Sequence, residues 1–263
     1  MSKPRALVLQ ARGSNRDYDV MQALELAGAA AAGVPLNDLR AGKQRWSDYQ
    51  ILVLPGGFSY ADALGAGKLL AIDLNSYFAD EITAFVAAGK PVIGICNGFQ
   101  ALVKSGILPG EKREKAVENS TATLTFNDRG HFECRWVTLA PISQTCVWTK
   151  GLAENIACPI AHGEGNFQIG EQSLISSLLA LDLVSLTYVH ADGAPANGEY
   201  PLNPNGSLLD IAGICNPQGN VLGLMPHPEN HIFPYQHPQR TRGVQNGSGL
   251  ALFTNGVKYA STI

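Results

Sequence analysis

Over the first hundred residues, short continuous apolar runs alternate with longer stretches of helical spacing. Arg5–Gln10 (RALVLQ), Tyr49–Leu54 (YQILVL) and Pro91–Ile95 (PVIGI) are too short for helices and show no polar alternation. Such runs read as strands buried on both faces of a parallel sheet. Between them, Asp17–Ala32 and Asn75–Ala88 have helical apolar spacing, the second stopped by Gly89-Lys90-Pro91, and Val34 and Leu36 are candidates for a further strand. Strands alternating with helices of ordinary length predict an open, doubly wound α/β sheet with helices on both faces.

Beyond Gly110 the texture changes: Thr121–Phe126, Phe132–Leu139 and Cys146–Thr149 are β-rich and separated by turn residues, with no long helix between them. These predict a small antiparallel β extension on a mostly parallel sheet. Ile160–Phe167 reads as a loop dense in glycine and polar groups, and Gly193–Gly206 as a second loop. Leu183–Tyr188 and Leu209–Cys215 read as strands, the latter turning through Asn216–Asn220 into Val221–Met225. Asn230–Gly249 is polar and turn-rich, and Leu250–Tyr259 is apolar enough for a closing helix.

Composition narrows the classes of function. The 263 residues are 45% apolar and 16% charged, with a formal net charge of −3, enough for one large α/β domain or two small ones. No Lys/Arg cluster offers an electrostatic footprint for nucleic acid. The N-terminal apolar run is too short for a signal-peptide core or a membrane span, so a cytoplasmic protein is expected. Five cysteines at wide spacing (Cys96, Cys134, Cys146, Cys158, Cys215) argue against a disulfide framework, and the absence of a CxxC pair argues against a zinc site built on cysteine. Asn-x-Ser/Thr triplets at Asn119, Asn205 and Asn246 carry no meaning without secretion.

Lys90–Gln100 (KPVIGICNGFQ) is the stretch with the strongest chemistry. Cys96 stands where a buried strand meets a helix, where N–H groups and the helix dipole favour thiolate over thiol. That is a nucleophile elbow carrying sulfur in place of oxygen. The alternative is a cysteine packed as a small hydrophobe. Pro55-Gly56-Gly57-Phe58 ends another strand, where it either turns the chain or offers side-chain-free N–H groups to an oxyanion. Gly67-Lys68 does not make a phosphate loop, because Asp62 replaces its first glycine and Leu69 its Ser/Thr.

His227 and Glu229 lie two apart on a segment clamped by Pro226 and Pro228, so an extended chain directs both to one side. A carboxylate beside an imidazole sets its tautomer and orientation for proton transfer, the alternative being a surface turn with an incidental histidine. His231, four residues after His227, does not complete a zinc-protease helix, since Pro228 stands where that motif needs Glu. His162 and Glu164 either contact a substrate or hydrogen-bond their own loop. His131, His190 and His237 are taken as structural or surface residues, and Cys134, Cys146, Cys158 and Cys215 as core.

PGGF (Pro55–Phe58), GICNGFQ (Gly94–Gln100) and MPHPE (Met225–Glu229) resemble the oxyanion loop, nucleophile elbow and His-Glu pair of class I glutamine amidotransferases. Within that class, GGFSYAD (Gly56–Asp62), AHGEGNF (Ala161–Phe167) and YPLNPNGSLLDIAGI (Tyr200–Ile214) resemble the PurQ-type glutaminase subunits of phosphoribosylformylglycinamidine synthase. The resemblance runs from about Arg5 to Glu229, and it departs from the family pattern at Ala61, Gly65 and Asn230.

The resemblance implies a single glutamine amidotransferase type 1 domain over residues 1–263, with a flavodoxin-like sheet. It implies Cys96, His227 and Glu229 as the catalytic set, and Gly56, Gly57, Phe58, Asn97, Gln100, His162, Gly163 and Glu164 as the oxyanion and substrate contacts, with no metal. L-Glutamine would be hydrolysed to glutamate and ammonia through a Cys thioester. The ammonia would pass to a PurL-type synthetase subunit, with a small PurS-type subunit, for purine biosynthesis. No cofactor is expected in this chain, and ATP and Mg are expected on the synthetase. Two alternatives stay open: a glutaminase subunit of another amidotransferase, and a catalytically silent binding or regulatory relative.

Overall fold

The computed structural model describes residues 3–110, 122–243 and 248–263. Thr121, Asn119 and Asn246 lie outside the described residues. The chain begins with β1 (Arg5–Gln10), α1 (Asp17–Leu26), β2 (Ala30–Pro35), α2 (Leu36–Arg40) and β3 (Ile51–Leu54). It continues through α3 (Lys68–Tyr77), α4 (Ala79–Ala87), β4 (Val92–Ile95) and α5 (Asn97–Lys104). Then follow β5 (Ala122–Thr125), β6 (Glu133–Pro141), β7 (Ile156–His162), β8 (Asn166–Ile169), α6 (Gln172–Ala180) and β9 (Val184–Val189). The chain closes with β10 (Ile211–Cys215), β11 (Val221–Leu224) and α7 (Leu250–Ala260). Among the described residues, no helix is long and apolar enough to cross a membrane.

Nine strands form one sheet in the order β2-β1-β3-β4-β11-β10-β9-β6-β7, and β5 pairs with β8 in a separate antiparallel ribbon. The pairings from β2 across to β11 are parallel, and those from β11 out to β7 are antiparallel. The expected antiparallel extension is therefore mostly a continuation of the main sheet, because the hairpin through Asn216–Asn220 reverses the chain beside β11. Strands β3, β4 and β11 are buried along their whole length, as their unbroken apolar runs require.

Helix α5 sits close to the sheet: a Cβ on Gly98 would fall 2.0 Å from the Leu54 carbonyl oxygen, so only glycine admits that approach. α5 packs with α3, and α1 packs with α7.

Several expectations are corrected. The helix predicted over Asp17–Ala32 stops at Leu26, and Ala30–Pro35 becomes β2, in register with Arg5–Gln10. Gly28, at φ 103°, breaks the helix, and pairing along β1 overrides the helix preference of the alanines. The predicted helix Asn75–Ala88 is two helices, α3 and α4, meeting at Phe78. Cys146–Thr149 forms turns instead of a strand, and Ile160–Phe167 is largely strand, its two halves belonging to β7 and β8. Cys134 is exposed, because strand alternation in β6 turns it away from the core that Glu133 and Val137 face. All five cysteines are free thiols.

Candidate active site

The sheet order brings three distant segments to one edge. β4 lies between β3 and β11, all parallel, with Leu54 beside Gly94 and Leu224 beside Ile95. Pro55–Phe58, Cys96 and His227 therefore leave the carboxyl ends of neighbouring strands, where open α/β sheets place ligands. The Cys96 N–H donates to the Leu224 carbonyl at 2.8 Å, holding the elbow against the strand that delivers His227.

Cys96 has φ 50° and ψ −106°, a conformation that non-glycine residues rarely adopt and that functional turns retain. It is 5% exposed, and its sulfur lies 3.9 Å from the Ala161 carbonyl oxygen. Helix α5 starts at the next residue, with the Gln100 N–H the first to reach back, to the Cys96 carbonyl. The Asn97 N–H thus belongs to the unspent first turn.

His227 is held at both ends. Its N–H donates to the Pro159 carbonyl at 2.8 Å, and its Nδ1 lies 2.6 Å from Glu229 Oε1, with both side chains buried. Pro228–Asn230 forms a tight turn that places Glu229 behind the ring. Burial pulls the His227 imidazolium down, but the Glu229 carboxylate and the hydrogen-bonded Cys96 sulfur outweigh it and raise the pKa to about 10.

A cavity of about 170 Å³ opens onto Cys96, lined by Gly57, Phe58, Asp62, Gln100, His162, Gly163 and Glu164, with Phe126 and Phe132 also on its walls. Seven of the eleven expected site residues thus line one cavity: Gly57, Phe58, Cys96, Gln100, His162, Gly163 and Glu164. Gly56 lies directly against His227 and Cys96. Asn97 sits behind the wall, and its side chain is fully engaged. Its Oδ1 accepts from the Ser59 hydroxyl and from the Ser59 N–H at 3.3 Å, while its Nδ2 donates to Asp62 at 2.8 Å and to Gln100 Oε1 at 3.2 Å. Of the loop donors, the Phe58 N–H is spent on the Gly13 carbonyl at 3.2 Å.

His162 is buried, with Nδ1 3.2 Å from Asn127 Oδ1. Burial, then the charge of His227, lowers its pKa to about 3, so it is neutral at physiological pH. Glu164 lies 3.6 Å from the Lys104 ammonium, receives the Ala66 N–H, and gives its own carbonyl to Gln100 Nε2 at 2.6 Å. Burial pushes the Asp62 carboxyl up, the hydrogen bond from Asn97 pulls it back, and the charge of Glu164 adds to the rise.

The sequence reading missed Ser59, Asp62, Lys104, Phe126 and Phe132 as neighbours of the site. Ser59 and Asp62 fall inside GGFSYAD and so carried a signal, whereas the phenylalanines reach the cavity only through folding. A larger cleft of about 850 Å³ opens elsewhere, among Arg135, Trp136, Asp192 and His237, and contains none of the expected catalytic residues.

Comparison with known proteins gives the chain its family. Residues 3–260 match the CobB/CobQ-like glutamine amidotransferase domain. Phosphoribosylformylglycinamidine synthase subunit PurQ of Treponema denticola is 55% identical, over 98% of this chain and 99% of that one. The chain belongs to the PurQ family of glutamine amidotransferases. PurQ of Dehalococcoides mccartyi is 43% identical over the full length of both chains. A chain of the PurLQS structure from Thermotoga maritima superposes with a TM-score of 0.72 at 33% identity, covering 98% of this chain and 99% of that one. The chain is thus the glutamine amidotransferase component of phosphoribosylformylglycinamidine synthase, in purine biosynthesis, and the class I glutamine amidotransferase fold expected from its motifs is the fold it has.

Proposed function

We propose that Cys96, His227 and Glu229 hydrolyse L-glutamine to glutamate and ammonia. The observation that carries this reading is the buried His227–Glu229 pair, 2.6 Å apart, delivered beside Cys96 by adjacent parallel strands. The Cys96 thiolate attacks the side-chain amide carbon, and the carbonyl oxygen becomes an oxyanion. His227, protonated through its pairing with Glu229, gives its proton to the departing nitrogen, and ammonia leaves a γ-glutamyl thioester. Neutral His227 then takes a proton from water and becomes imidazolium again, and the hydroxide attacks the thioester. The C–S bond breaks to return the Cys96 thiolate, and the new γ-carboxyl releases its proton to solvent as glutamate departs. Glu229 orients the ring and stabilises its charge throughout.

Magnitudes indicate where the barrier is lowered. A cysteine of pKa about 8.5 is a few per cent thiolate at pH 7, so full ionisation supplies only about 2 kcal/mol. A single oxyanion donor is worth roughly 2.7–4 kcal/mol, so two preorganised N–H groups are the larger contribution. These are the N–H of Gly57, since that of Phe58 is spent on Gly13, and the N–H of Asn97. Gln100, His162, Gly163 and Glu164 complete the substrate pocket.

Free ammonia in neutral water becomes mostly ammonium, which is not a nucleophile, so ammonia must reach its acceptor through a sealed interface. The partner is a PurL-type synthetase subunit carrying ATP and Mg, with a small PurS-type subunit, which aminates formylglycinamide ribonucleotide in the cytoplasm. The Thermotoga maritima complex named PurLQS supports this assembly. The one nine-stranded sheet and the match over residues 3–260 support a single domain over 1–263. Treatment with a glutamine-mimicking electrophile followed by peptide mass spectrometry tests the reading: an adduct on Cys96 is expected, and no adduct there with the synthetase bound would overturn it.

A further inference from the structure

Four of the five residues from Tyr60 to Leu64 have positive φ without being glycine: Tyr60 (56°), Ala61 (55°), Asp62 (52°) and Leu64 (63°). A residue without glycine's freedom persists in that region only where its surroundings over-determine it. Here the surroundings are the first turn of the nucleophile's own helix. Ser59 donates to Asn97 Oδ1 through both its hydroxyl and its N–H, and Asp62 accepts from Asn97 Nδ2 at 2.8 Å. Ala66, further along, is held by Lys104 at its carbonyl and by Glu164 at its N–H.

The location of this clamp gives it meaning. Asn97 is the residue after Cys96, and Ser59 stands two residues after Gly57. One buried amide side chain therefore ties together the two backbone segments that carry the oxyanion donors. We propose that Ser59 and Asp62 are positioning residues, which act through the Asn97 side chain to set the separation of the Gly57 and Asn97 N–H groups. This rests on the reading of Cys96 as the nucleophile and of those two N–H groups as its oxyanion donors.

An effect confined to the oxyanion appears in kcat and not in KM, because the charge exists only beyond the ground state. It also spares any reaction of Cys96 that forms no oxyanion. Alkylation by iodoacetamide is such a reaction: the sulfur bonds to the methylene carbon as iodide leaves, and no carbonyl is attacked. In the assembled synthase, Asp62→Ala is expected to lower glutaminase kcat by roughly 10²-fold, as for a misplaced oxyanion donor. KM and the rate of Cys96 alkylation should stay near wild type. Ser59→Ala, which keeps the N–H donor, should lower kcat less, and Asp62→Asn, which keeps an acceptor oxygen, should retain most of the rate.

Parallel loss of kcat and alkylation in Asp62→Ala and Ser59→Ala would overturn the proposal by showing that the clamp supports Cys96 or the fold instead. A raised KM at unchanged kcat would overturn it in favour of direct substrate contact. Equal alkylation of wild type and Cys96→Ser at the active-site peptide would defeat the nucleophile reading, and the proposal with it.

Discussion

Gly56 packs directly onto the imidazole of His227: a Cβ added to it would lie 2.6 Å from His227 Cε1 and 3.5 Å from the Cβ of Cys96. Real Cβ atoms do not approach ring carbons that closely, so the missing side chain is what allows the loop, His227 and Cys96 to share one small volume. Gly56→Ala should push the ring away from the sulfur. Displacements of about 1 Å at a reacting centre lower rates about 10²-fold, and a fall of that order in kcat is expected, with little change in melting temperature. A variant within twofold of wild type would show that the ring has room to move.

Cys96→Ser should abolish glutamine-dependent synthesis by the assembled complex while sparing synthesis from added ammonia. A serine hydroxyl fills the elbow but lacks a thiolate at neutral pH. Parallel assays with glutamine and with ammonium salt separate the outcomes, and loss of both would assign Cys96 to folding or assembly.

Glu229 acts on His227 through charge, so its removal should appear as a pH shift. Glu229 is, after the opposing effect of burial, the largest influence on a pKa raised to about 10. In Glu229→Gln the imidazolium should lose its proton at lower pH, moving the alkaline limb of kcat/KM downward, with kcat reduced on the order of 10²-fold. An unmoved limb would remove Glu229 from the proton-transfer machinery.

Two buried histidines bend the pH–stability curve from opposite sides. The folded pKa of His227, about 10, exceeds its ordinary value of about 6.5, so its stabilisation is fully present below 6.5 and fades as pH rises through 10. His162 is the reverse case. Its folded pKa of about 3 means the unfolded chain binds the extra proton, so stability is lost as pH falls below about 6.5. Thermal melts from pH 4 to pH 10 should peak between these limbs, and His162→Gln should flatten the acid side alone.

Gly256 offers a contrast, in α7 and away from the cavity. Its added Cβ would meet Trp148 Cζ3 at 2.1 Å, inside the core. Gly256→Ala should destabilise by about 1–3 kcal/mol through overpacking while leaving the glutaminase rate of the folded protein unchanged. Denaturant titration beside steady-state kinetics checks both halves. A changed rate would tie α7 to the site.

Local pattern carried much of this architecture. β1 spans Arg5–Gln10 as its apolar run predicts, and β3, β4 and β11 lie within the runs read as buried strands. The hairpin at Asn216–Asn220 followed from its turn residues. The alanine run after Leu26 has no polar contrast to reveal a period, and only pairing with β1 makes it a strand. Helix α6 gives little local signal: Gln172–Ala180 carries several serines and no cap hydrogen bond at its start. Whether the later strands form their own sheet or extend the first depends on pairings across many residues, which no local window contains.

By itself the sequence determined the chemistry on offer: a cysteine at a strand end, a His-Glu pair between prolines, a glycine loop, and the family they resemble. Tertiary structure decided that the three converge, by placing β4 between β3 and β11. It also decided that the N–H of Phe58 is spent on Gly13, and it revealed the clamp of Ser59 and Asp62 on Asn97. The physical reason is the same in each case. Strand order and side-chain hydrogen bonds between distant residues are set by packing and desolvation of the whole chain, and a residue's own sequence neighbours do not encode them.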